Sequence, residues 1–97
     1  MKTTEENNRL IAEFMSGQKV TTHHNQYHVS WNELMPVVEK INTLFGGEMN
    51  TLIMSNACKI YSDNPPIYNS IVEANSKIES TYQAVVQFIE WYKEQKK

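Results

Sequence analysis

"NTLIMSNACKIYS", Asn50 to Ser62, holds two β-like runs, Thr51 to Ser55 and Cys58 to Ser62, separated by Asn56-Ala57. Short apolar and β-branched runs broken by an asparagine-led pair read as a tight hairpin. "DNPP", Asp63 to Pro66, is a strong turn signal. "IYNSIVEA" then alternates, with Ile67, Asn69, Ile71 and Glu73 on one face and Tyr68, Ser70, Val72 and Ala74 on the other, which predicts a further strand. Consecutive strands joined by short turns must pair antiparallel. This stretch therefore decides the fold: it specifies an antiparallel sheet, and what flanks it has a different period.

The flanking segments announce three helices. Thr3-Thr4-Glu5-Glu6, Ser30-Trp31-Asn32-Glu33 and Ser76-Lys77-Ile78-Glu79 each match the capping box, in which a hydroxyl covers an orphan backbone N–H and the glutamate reaches back. The first helix is expected from about Glu5 to Met15, with Leu10, Ile11, Phe14 and Met15 on one stripe and "SGQ" as its stop. The second places Leu34, Val37, Val38, Ile41, Leu44 and Phe45 on a core face and ends at Gly46-Gly47. The third, from Lys77 to about Lys93, repeats Ile78, Tyr82, Val85, Phe88 or Ile89, and Tyr92, and its basic ending suits the negative end of the helix dipole.

Pro36 falls inside the second helix, where it would remove a bond at the Asn32 carbonyl at a cost of about 3 kcal/mol. Either Trp31 to Met35 form a separate capped turn and the helix restarts with Pro36 in its first turn, or one helix bends there. The first form is the expectation, with Pro36 setting the angle at which Trp31 meets the core. Between the first two helices, "KVTTHHNQYHVS" reads as a short hairpin or an extended arm with a turn.

The predicted class is α+β: a small antiparallel sheet of about three to five short strands packed with three helices, in the order α-β(β)-α-β-β-β-α, as one domain over residues 1–97. At 97 residues there is room for one core. Apolar residues make up 40% and charged residues 21%, which is a globular composition. A formal net charge of −2, with nine basic side chains of which Arg9 is the sole arginine, supplies no basic field for tracking phosphates. Direct specific nucleic-acid binding is not expected. One cysteine, Cys58, excludes an internal disulfide. The opening residues lack the apolar run of a signal peptide, and no stretch approaches the roughly 20 apolar residues that span a bilayer. A cytoplasmic protein with no membrane partner is the expectation.

"EENNRLIAEFM", "YHVSWNELMPVVEKI" and "SKIESTYQAVVQFIEWY" resemble segments of a family of small α-β-α sandwich proteins encoded by phages, prophages and other mobile elements. The resemblance covers most of the chain in the same order. It implies the fold and a mobile-element origin, but carries no catalytic residues. It further implies a host-cell setting and a counter-defence role of the anti-CRISPR kind, with a host protein such as a CRISPR effector nuclease as partner.

Residue chemistry argues against an enzyme. His23, His24 and His28, with Cys58, are zinc-ligand types, but on a strand His23 points away from the other two, so no metal is expected. Cys58 sits in a β-like run, where a small buried hydrophobe is its usual role, rather than beside a base that would activate it. Glu5 and Glu6, or Glu33 and Glu39, are explained by caps and solvated faces, not by convergence on a cleft. Gly46-Gly47 follows a helix and so does not cradle a phosphate. No cofactor is expected.

Binding fits better. Tyr27, Trp31, Tyr61, Tyr68, Tyr82, Trp91 and Tyr92 are more large aromatics than a small core easily buries, and aromatics anchor interfaces. Tyr27, His28, Tyr61, Tyr68 and Trp91 are the candidate partner-binding residues. The resulting expectation is a non-catalytic inhibitor that binds a host defence protein stoichiometrically. Two alternatives stand beside it: a sponge for a small nucleotide signal, and a structural homo-oligomer, with a homodimer joined through the closing helix or an open strand edge.

Overall fold

A computed structural model of the chain describes residues 3–19, 26–62 and 68–95. Its elements run α1 (Thr4–Ser16), α2 (Trp31–Gly47), β1 (Met49–Ile53), β2 (Ala57–Ser62), β3 (Asn69–Glu73) and α3 (Lys77–Gln95). The class is α+β, with three helices and a three-stranded antiparallel sheet in the order β1-β2-β3. Of the segment read as a short hairpin or an extended arm with a turn, residues 20–25, with His23 and His24, lie outside the described residues, and Gln26 to Ser30 form a turn in which Val29 N and Ser30 N both donate to Gln26 O. The described sheet has three strands.

The hairpin at Asn50 to Ser62 forms with Met54 N donating to Ala57 O across the turn, and Leu52 faces Lys59 in its register. β3 pairs with β2 so that Ile71 faces Lys59 and Asn69 faces Tyr61. The turn signal at Asp63 to Pro66 lies outside the described residues. Alternation sets two faces. Met49, Cys58, Ile60 and Ser62 are buried beneath the helices, with Val72 partly so. Asn50, Leu52, Asn69, Ile71 and Glu73 point to the opposite, exposed face. α3 lies on β2 and β3, and α2 lies on β1. Ile11 of α1, Leu34, Val37 and Ile41 of α2, and Val85, Phe88 and Ile89 of α3 fill the core between them.

The three helix starts differ in detail. Thr3 makes the full capping box: Glu6 N donates to Thr3 Oγ1 and Thr3 N donates to Glu6 Oε1. At α3, Glu79 N donates to Ser76 Oγ, but the Glu79 carboxylate accepts from Asn75 N, one residue before the expected partner. At α2 the box is absent. Ser30 makes no side-chain cap, and Glu33 Oε2 accepts from Gln26 N at 2.7 Å instead, which ties the preceding turn onto the helix.

Helical φ/ψ run through Pro36, so α2 does not restart there. Asn32 and Pro36 stand one turn apart on the exposed side, so the carbonyl that loses its bond faces water. The irregularity comes later, where Leu44 (ψ 158°), Phe45 (φ 54°) and Gly46 (φ 72°) leave the helical region. Phe45, placed on the core face by periodicity, is instead 40% exposed in a left-handed conformation.

Candidate functional site

The five candidate residues do not gather at one site, although Tyr68 and Trp91 meet. Tyr27 is only 5% exposed and belongs to the core, which removes it from any surface. His28 is half-buried in a polar chain: Asn8 Nδ2 donates to His28 Nδ1 at 3.1 Å, and Tyr82 Oη donates to Asn8 Oδ1 at 2.9 Å. The chain joins α1, the Gln26–Ser30 turn and α3, and its role is to satisfy buried groups. Burial pushes the Tyr82 hydroxyl up to about 12, so it stays a donor.

Tyr68 and Trp91 sit in a cluster of six rings with Phe14, Phe45, Phe88 and Tyr92. Tyr68 meets Phe88 edge-on at 5.2 Å and Trp91 at 4.8 Å, and Phe14 meets Tyr92 edge-on at 5.8 Å. Phe45 closes the group against Trp91 and Tyr92. Helices α1, α2 and α3 and the start of β3 thus converge on one aromatic hub, which accounts for much of the aromatic excess in the sequence. Burial pushes the Tyr68 hydroxyl upward, against a hydrogen bond with Ser70 that lowers it.

Tyr61 is placed differently. It stands half-exposed on the sheet face that no described helix covers, with Lys59 Nζ 4.8 Å from the centre of its ring. The register makes two cross-strand rows there: Leu52, Lys59 and Ile71, and then Asn50, Tyr61 and Asn69. Leu52 is 49% exposed and Ile71 55%. Two branched apolar side chains therefore flank a lysine stem and a tyrosine, with asparagine amides beside them. These are groups for desolvating an apolar partner and fixing it by hydrogen bonds. Leu52 and Ile71 were missed in the sequence because alternation yields two faces without saying which one the helices cover.

Cys58 points to the other side of the sheet, wholly buried, and burial outweighs its Thr81 hydrogen bond to push the thiol up, so it remains protonated and inert at neutral pH. Among the described residues no three His, Cys, Asp or Glu side chains come together to hold a metal. No helix among them is long and apolar enough to cross a membrane. A groove of about 220 Å³ between α3 and β3 is lined by Asn7, Val72, Gln83, Val86, Gln87 and Glu90. Asn7 Oδ1 is buried there without a hydrogen-bond partner among the described residues. No family model, no curated protein and no solved structure matches the chain.

Proposed function

We propose that the protein is a non-catalytic binding factor of phage or mobile-element origin that inhibits a host defence protein, in the manner of an anti-CRISPR, by stoichiometric occupation through its uncovered sheet face. The observation that supports this reading is the row Leu52-Lys59-Ile71 beside Tyr61. Two large apolar side chains held about half-exposed on a rigid sheet are a liability unless something covers them. The partner is a protein with a complementary apolar patch bordered by hydrogen-bonding groups; a CRISPR effector nuclease is the specific candidate that the sequence resemblance supplies. The origin and the counter-defence role likewise rest on that resemblance.

The test is capture with tagged wild-type protein and with Leu52→Asp and Tyr61→Ala variants whose melting temperatures match the wild type. A host protein retained in about equimolar amount by the wild type and lost by both variants supports the proposal. Retention unchanged in both variants removes the sheet face from it, and no retained protein removes the inhibitor reading.

A further inference from the structure

β3 is an edge strand of the described sheet, paired with β2 alone among the described strands. Ser62 N donates to Tyr68 O, and Ala74 N donates to Asn56 O. In an antiparallel ladder bonded and non-bonded pairs alternate, so Ser70 and Val72 turn their backbone groups toward β2. Asn69, Ile71 and Glu73 therefore turn theirs outward, away from the sheet. No described residue makes a backbone hydrogen bond to them. Asn69–Glu73 holds no proline, lysine or bulge, and its one charge is Glu73 at the strand's end. The groove beside Val72 leaves space next to this edge on the helix side.

We infer that two copies of the chain join antiparallel along β3, with the two-fold axis at Ile71, to make a continuous six-stranded sheet. The register follows from the side chains. With Ile71 opposite Ile71 of the second copy, Asn69 falls opposite Glu73 of that copy, and the reverse pair repeats it, as an isologous interface requires. An amide donor thus meets a carboxylate twice, and no like charges face each other. Each of these facing pairs exchanges two backbone hydrogen bonds. On the uncovered face the rows become Leu52, Lys59, Ile71 and then Ile71, Lys59, Leu52 of the second copy.

At the other edge the outward-facing backbone belongs to Met49, Thr51 and Ile53. Their side chains lie on the helix side, where Thr51 is held by Asn42 of α2, and no charged pair would set a register.

The inference does not rest on the partner-binding reading, because the purified chain alone tests it. Sedimentation from about 1 to 300 μM is expected to show a monomer–dimer equilibrium. Asn69→Lys, which places an ammonium opposite Glu73 at both symmetry-related pairs, should tighten the dimer roughly 2- to 30-fold, and Asn69→Asp should weaken it by a similar factor. Ile71→Glu should abolish the dimer, by setting two carboxylates face to face at the axis, without lowering the melting temperature of the monomer, in which the new carboxylate stands opposite Lys59. Monomer at every concentration for both wild type and Asn69→Lys overturns the inference. A dimer whose dissociation constant is unmoved by both Asn69 variants overturns it equally.

Discussion

Asn7 and Asn8 are neighbours in α1 with opposite environments: the Asn8 amide bridges Tyr82 and His28, whereas Asn7 Oδ1 is buried without a partner among the described residues. Substitution by alanine should therefore change stability in opposite directions. Asn8→Ala leaves the His28 ring nitrogen without its Asn8 partner and the Tyr82 hydroxyl with only the longer contact to Thr4 O at 3.4 Å, and should cost about 1–3 kcal/mol. Asn7→Ala removes an unsatisfied acceptor and adds the better helix former, so it should stabilise by about 0.5–1.5 kcal/mol. Urea unfolding of the two variants checks the pair of signs, and a loss of stability in both would contradict the assignment of Asn7.

Alkaline pH should destabilise the fold in two stages. The Cys58 thiol is raised from its ordinary 9.0 and the Tyr82 hydroxyl from 10.0 to about 12, each because burial disfavours the charged form. In the unfolded chain these groups ionise at their ordinary values, so above about pH 9 the unfolded state binds fewer protons than the folded one. Stability then falls as pH rises, first through Cys58 and, above about pH 10, through Tyr82 and Tyr68 as well, each raised by burial. Unfolding curves from pH 7 to 11.5 should show the decline, with Cys58→Ala flattening its onset and Tyr82→Phe its upper part. A stability independent of pH up to 11.5 would contradict both burials.

What was legible in the sequence divides along local and non-local physics. The hairpin around Asn56 and the stripe of α3 depend on neighbours in sequence, and both form nearly where periodicity puts them. Ser30 and Glu33 match the capping pattern, yet Gln26 N reaches Glu33 first, because a turn folds back over the start of α2. That competition is tertiary and leaves no mark in the local pattern. Pro36 looked like a break because its exposure was unknown; with the Asn32 carbonyl facing water, the lost bond is replaced by solvent. The candidate aromatics divided similarly. Tyr27 went into the core and Tyr68 and Trp91 into the hub, and only Tyr61 stayed on the open sheet face, since side-chain type alone does not state which layer covers which face.

Lys40 should act as a remote cap for α1. Its ammonium donates to the carbonyls of Phe14 and Met15 in the last turn of that helix and lies 4.7 Å from the centre of the Phe14 ring. The position is where the helix dipole favours a cation, and no basic residue of α1 itself occupies its last turn. Lys40→Met keeps most of the apolar stem and removes the charge. A loss of about 1–2 kcal/mol in urea unfolding is expected. A neutral effect would show that the contact competes with water on equal terms.

Phe45 provides the sharpest test of the backbone at the end of α2. Its left-handed conformation costs an L residue about 1–2 kcal/mol, and the ring contacts with Trp91 and Tyr92 offset that cost. Both Phe45→Ala and Phe45→Gly lose the ring contacts, but only glycine also loses the steric penalty. In a helix interior alanine is the more stable of the two by about 1 kcal/mol. At Phe45 the order should reverse, with Phe45→Gly more stable than Phe45→Ala by about 1 kcal/mol and both less stable than the wild type. Thermal melts of the three proteins decide it: alanine above glycine would mean that the helix continues through Phe45, and the aromatic hub would then need a different closing contact from α2.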